Sequence, residues 1–596
     1  MKRTIFACKL IGIGFVLASG QYGHAAVSKQ VFKVGNGDVI CNQFSTSLDI
    51  DLESRLPAPI DAITDCQSSY HAQVPPSSER FPQSPPDVGP LPPGQAPLLP
   101  DLTVPESPPE DVPTDVFVAD IQVTGSTIFD DADFAEVLAS YEGRSLTPGE
   151  LAEAANGITQ LYLQRGYITT RAQLKEGHII EGVVEIQVIE GQLEIILVEG
   201  NRNLQERYIR DRVALAAGKP LNQIALEEQL RLLQTDPLIK TIEASLKAGS
   251  DTGLSILTVQ VQEANPLGTR LSFDNYSPDS VGANRAGAEI SYLSPLGLGD
   301  KLFTSARVST TGGSEIYDIG YRVPLNALDG TLQLGFTASN FEITDSEASL
   351  GLDIDGSTDI FNISFRQPLV RSLREEFALS VGFRRRVGET FIFDTVVDSS
   401  RTSVLQFGQD YLKRDLSGAW ALRSQFNIGT GLFAVTDRPD DQADAQFFSW
   451  LGQVQRVQLL NDKHTLIIQG DLQLAGDPLL PSEQFILGGG QSLRGYEQNS
   501  LFGDNGFRLS IEDRITVDRD TSGQPKIQVA PFIDMGAVWN NEDNQSDREE
   551  DFLIGLGTGV IWEPLPGLNT RLDFAIPLIS SDGNQQGFFF SIIYRP

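Results

Sequence analysis

From Pro266 onward apolar and polar residues alternate with a period of two, in short runs separated by turn residues. Within Thr331–Ser339, Leu332, Leu334, Phe336 and Ala338 fall on one side and the polar residues on the other. Leu466, Ile468, Leu472 and Leu474 alternate in the same way with Gln469, Asp471 and Gln473. That period belongs to a strand. Lipid on one face and water on the other would select it, as in a closed barrel whose backbone hydrogen bonds are all internal. Sixteen candidate strands can be counted, the first starting near 269, the eighth near 401 and the last near 587. An even number suits a single-chain antiparallel barrel. The reading for 266–596 is therefore a 16-stranded antiparallel transmembrane β-barrel; β-sandwich arrays seldom run this many strands without a domain break.

Upstream, the pattern shifts toward helical spacing, and it does so twice. Val118–Ser126 is a short strand ending in a glycine turn, and the same pattern returns at Ile195–Asn201, with Gly125 and Gly200 in corresponding places. Gly143-Arg144-Ser145-Leu146-Thr147 has its counterpart in Gly218-Lys219-Pro220-Leu221-Asn222. In each copy Thr147 or Asn222 could cap a helix, predicted over Leu151–Arg165 and Ile224–Gln234. Closing strands follow at Val183–Glu190 and Leu257–Glu263. The pattern predicts two α+β units of similar size, 115–190 and 191–265.

Fourteen of the 33 prolines lie between Pro75 and Pro113. Such a stretch cannot bury a core, so 75–114 reads as an extended linker. Met1-Lys2-Arg3, the apolar run Leu10–Ala18 and the small residues before Ala25 read as a secretory signal over 1–25. Residues 26–74 carry no pattern that assigns them a role. Cys41 and Cys66 remain after the signal and could close a disulfide in an oxidising compartment. The net charge of −34 opposes nucleic-acid binding. His24, His71, His178 and His464 show no metal-ligand spacing, and no HExxH, P-loop or nucleophile-base spacing marks an enzyme or a cofactor. Gly429/Gly431 and Gly555/Gly557/Gly559 sit in strand patterns with no helix after them, so they read as strand glycines.

One loop stands out, 488–505, between the eleventh and twelfth predicted strands. Gly488-Gly489-Gly490 lets the chain double back, and Leu493-Arg494-Gly495-Tyr496 then presents a single guanidinium. In the strand Val529–Trp539, alternation puts Val529, Pro531, Ile533, Met535, Ala537 and Trp539 toward lipid. Phe532, Asp534 and Gly536 then face the lumen, where Asp534 can receive Arg494 if the loop folds inward and Gly536 leaves room beside it.

Leu493–Tyr496 resembles the (V/I)RGY tip of the inward-folded loop of POTRA-bearing outer-membrane transporters, with Leu in the first place, and Phe532-x-Asp534-x-Gly536 resembles their F-x-D-x-G barrel-wall motif. The duplicated units resemble POTRA domains. Together these features are similar to the TpsB translocators of two-partner secretion, the haemolysin secretion/activation type, over about 115–596. The resemblance implies an outer-membrane monomer, in contact with lipid, with its POTRA domains in the periplasm. It would export a large unfolded β-rich exoprotein passenger of the TpsA type, with residues 26–74 a candidate plug of the pore. A barrel-assembly insertase and a diffusion porin remain open as alternatives at this point.

Overall fold

The structure, a computed structural model, describes residues 30–34, 37–41, 115–180, 182–345, 352–438, 442–541, 551–579 and 585–596. The expected signal at 1–25, the linker at 75–114 and Cys66 of the suggested disulfide lie outside the described residues. Within 26–74 an antiparallel hairpin pairs Gln30–Val34 with Gly37–Cys41.

The first α+β unit runs strand Asp120–Thr124, helix α1 (Asp131–Leu138), helix α2 (Pro148–Gln164), then strands Arg171–Ile180 and Val183–Ile189. Its last strand lies in the middle, parallel to the first and antiparallel to its predecessor. The second unit repeats this order with Gln192–Glu199, α3 (Glu206–Val213), α4 (Gln223–Gln234), Ile239–Ala248 and Leu254–Glu263. Gly125 and Gly200 hold the same post in both copies: φ is +86° and +83°, and a Cβ would strike the carbonyl of Val188 or Val261 on the central strand. Only glycine tolerates that combination, which is why the turn recurs in the sequence.

Helix α2 starts one turn before its first predicted residue. Thr147 accepts from the Glu150 N–H while Glu150 reaches back to the Thr147 N–H, and Pro148 occupies the first position, where its missing N–H costs nothing. Hydrogen bonds from Arg144 and Thr147 hold the Glu150 carboxyl down to about 2. Leu151, Ala154, Ala155, Ile158 and Tyr162 form one buried stripe. In α4, Asn222 caps and Leu226, Leu230 and Leu233 are buried. The shorter helices α1 and α3 have only two turns of periodicity each, so the pattern of apolar residues did not locate them.

The units meet with no spacer: the Gln223 N–H of the second donates to the Gly166 carbonyl of the first at 2.8 Å, and the Asn222 side-chain amide to the Arg165 carbonyl at 3.1 Å. The second unit rests on two barrel turns. Gln205 N–H donates to the Gly297 carbonyl at 2.9 Å, and Arg212, stacked on Tyr208, meets Asp329 at 3.2 Å.

Sixteen of the described strands close into one antiparallel barrel, from Leu267–Asp274 to Phe588–Tyr594, which pair with each other at the seam. Leu334 and Phe336 are exposed outward, as alternation required, while Asp471 and Gln473 are buried inward. Among the described residues no helix is long and apolar enough to cross a membrane, so crossing falls to the strands. The strands begin close to their predicted places with one clear exception. The eighth, Thr395–Asp415, starts earlier than 401 because Asp398-Ser399-Ser400 is polar on both faces and gives no alternation to read. With its partner Glu375–Ile392 it runs past the roughly 25 Å apolar band that such barrels present to lipid.

Candidate functional site: an inward loop latched to the barrel wall

The loop leaves the eleventh strand, His464–Ala475, and rejoins the barrel at the twelfth, Asn505–Arg519. Its two arms pair as a small ribbon, Phe485–Leu487 with Leu501–Gly503. The ribbon turns through Gly488 and Gly489, whose φ values of +106° and +99° are closed to most side chains. Gly490 serves differently: its missing Cβ makes room for the rings of Tyr276 and Phe589, so the turn packs against the seam side of the barrel.

Arg494 lies inside the lumen with its side chain only 8% exposed. Its Nε donates to Asp534 Oδ2 at 2.7 Å and its Nη2 to Oδ1 at 2.8 Å, the two-pronged contact that a planar guanidinium makes with a carboxylate. Its backbone N–H also donates to Asp534 Oδ2, at 3.1 Å. Phe532 lies beneath, with the Arg494 Cζ 3.3 Å from its ring centroid. The thirteenth strand, Pro525–Trp539, therefore supplies both a charge partner and a stacking face from residues two apart, which point the same way.

The site extends beyond the predicted pair. Arg494 Nη1 donates to Glu512 Oε2 at 2.9 Å, and Asp573 Oδ1 lies 3.7 Å away. Glu512 in turn accepts from Arg571 at 2.6 Å and Arg514 at 2.8 Å, while Arg571 Nε donates to Asp573 at 2.7 Å. Ser510 donates to Asp534 Oδ1 at 2.6 Å. Three guanidiniums thus interleave with three carboxylates on strands twelve, thirteen and fifteen and the loop tip. Charges taken this far from water persist only when paired in this way.

The rest of the tip is held by packing. Leu493 and Tyr496 are fully buried among Phe485, Leu487, Leu501, Val538 and Leu553. The Tyr496 hydroxyl lies 2.9 Å from the carbonyls of Ile554 and Ile579. Gly495 takes φ +104°. Gly536 leaves its space to Leu487 of the ribbon, and the room for Arg494 comes from Gly555, where a Cβ would overlap the Arg494 carbonyl oxygen. Gly557 likewise admits the Phe532 ring. Sequence reasoning missed Glu512, Arg571, Asp573 and the role of Gly555. Alternation alone would put Ser510 and Glu512 on the lumen face of their strand, but nothing local says which lumen charges stand at the height of Arg494.

Residues 253–561 match the family of haemolysin secretion/activation proteins ShlB/FhaC/HecB, and residues 116–191 match the ShlB-type POTRA domain. The first match covers more than half of the chain. The chain belongs to this family. The outer membrane transporter CdiB of Escherichia coli is 26% identical over 410 residues, 66% of this chain and 68% of that one. The hemolysin transporter protein ShlB of Serratia marcescens is 23% identical over 457 residues, 74% and 78% of the two chains. The solved structure of CdiB from Escherichia coli shares the fold, with a TM-score of 0.64 at 22% identity over 84% of this chain and 94% of that one. As a member of the secretion family this transporter is an outer-membrane protein translocator of two-partner secretion, with its POTRA domains in the periplasm. The insertase and porin alternatives are not favoured.

Proposed function

We propose that this transporter exports one large, unfolded, β-rich exoprotein through its lumen, and that Arg494 latches the pore loop to the wall while it does so. It acts as a conduit and not as an enzyme, as a lipid-embedded monomer. Residues 1–25 direct secretion, and the 75–114 linker gives the segment at 26–74 reach. The passenger is received on the open sheet edges of the α+β units, Arg171–Ile180 and Ile239–Ala248, which lie at the margins of their sheets. An extended peptide can add there as a further strand, its backbone supplying affinity. Export is driven by folding of the passenger outside, which disfavours its return.

The observation that carries this reading is the burial of the Arg494 guanidinium between Asp534 and Glu512 inside the barrel. Removing one partner of a buried pair costs about 3–5 kcal/mol, enough to shift a latched loop toward the unlatched state. Arg494→Ala is expected to cut passenger secretion while the amount of barrel and its heat-modifiability on gels stay near normal. Normal secretion by this variant would remove the latch from the mechanism.

A further inference from the structure

The loop is tied at a second place, far round the wall from its tip. Before the ribbon begins, Glu483 leans back toward strands seven and eight. Its carboxylate pairs with Arg384 of Glu375–Ile392 and accepts from the Thr402 hydroxyl of Thr395–Asp415 at 3.1 Å. Its backbone carbonyl accepts from Gln473 at 3.1 Å. The loop is thus a strut held between strands seven and eight on one side and twelve, thirteen and fifteen on the other.

The two ties differ in kind. Arg494 meets three carboxylates and a ring, with 8% of its side chain exposed. Among the described residues Arg384 meets the Glu483 carboxylate alone, its Nε has no hydrogen-bond partner, and 20% of its side chain is exposed. Arg384 also lines a cavity of about 500 Å³ enclosed by strands four to nine, and Ser482, next to Glu483, lines the same cavity. Gln333, Asn362, Gln406 and Arg423 share the cavity wall with apolar residues such as Ile360 and Leu412, and no metal-ligand cluster occurs among the described residues. A wall that sets hydrogen-bonding and charged groups beside apolar ones can take an extended polypeptide, whose backbone carries a donor and an acceptor at almost every residue. A guanidinium held by one carboxylate, with its Nε left without a partner, is easier to part than one held by two prongs within an interleaved cluster.

We propose that Glu483–Arg384 is the gate of the lumen: this tie parts to open the cavity past the loop, while the Arg494 cluster keeps the tip in place. The occupant is an unfolded polar polypeptide segment, so the proposal rests on the export reading for its partner. The gate itself can be read without a passenger. In planar bilayers Glu483→Gln is expected to open roughly ten-fold more often than the parent, and the exchange Glu483→Arg with Arg384→Glu to return openings toward the parent level. Rescue by the exchange would show that the pairing of the charges, and not the shape of either side chain, keeps the lumen closed. Paired cysteines, Glu483→Cys with Arg384→Cys, joined by a reducible bifunctional thiol reagent long enough to replace the two side chains, are expected to stop openings and secretion and to release both on reduction, with heat-modifiability showing that the barrel is folded. Parent-like openings in Glu483→Gln, or secretion that continues through the crosslinked pair, would overturn the gate. Openings that follow the gate in a chain that exports nothing would support the gate and overturn the export reading.

Discussion

The two sides of the barrel lumen use the same residue types to different ends. Against strands twelve to fifteen the loop's Arg494, 8% exposed, is sealed with Asp534, Glu512 and Asp573, carboxylates whose side chains are 1–8% exposed. On strands six to nine Arg366 pairs with Glu376 at 2.6 Å and Asp410 at 3.1 Å, and Arg423 with Asp410 at 2.7 Å, but these side chains are 16–31% exposed and border an open cavity. The distances are alike, so the difference lies in the water. A sealed network penalises any missing member by the full cost of an unpaired buried charge, whereas a wetted pair lets solvent replace the lost partner. One side is therefore built to hold a loop and the other to leave a passage.

The sharpest test removes Asp534. Asp534→Ala leaves Arg494 without its two-pronged partner, and at about 3–5 kcal/mol the latched state weakens on the order of a hundred-fold or more. Secretion of the passenger is expected to fall to background in a pulse-chase assay while the barrel still assembles. Next comes one small substitution on each side. Gly555→Ala puts a methyl group where the Arg494 carbonyl oxygen lies, so the tip must shift at a cost of about 1–3 kcal/mol, and secretion drops. Asp410→Asn takes one charge from the wetted side and is expected to cost about 1 kcal/mol or less in thermal unfolding followed by gel mobility. If it matched Asp534→Ala, the contrast between the two sides would be broken. Smallest of all is Gly382→Ala, where the new carbon finds its nearest neighbours at 3.4–3.5 Å, an ordinary contact. Stability there is expected to change by no more than about 0.5 kcal/mol, with secretion unchanged.

Much of the architecture was legible because it is a local response to two solvents. The outward Leu334 and Phe336 and the inward Asp471 and Gln473 declare a strand between lipid and water wherever they occur. The reading failed where that contrast was absent, at the polar start of the eighth strand and in the two short helices. At the site, Arg494 and Asp534 were legible through paired motifs on a glycine-rich loop and a neighbouring strand. Glu512, Arg571 and Asp573 were not, because their meeting depends on the stagger of three strands and not on any spacing along one of them.

By itself, then, the sequence determined which residues face lipid, which face water, and that one α+β unit occurs twice, since each of these is settled by periods of two or 3.6 residues within a short segment. Only the tertiary structure decided which lumen charges stand at one height, that Gly555 and not Gly536 makes way for the Arg494 backbone, and that Glu483 reaches Arg384 across 99 positions of chain. Closing a barrel fixes the register of every strand at once, and that global condition leaves no mark on any single stretch of residues.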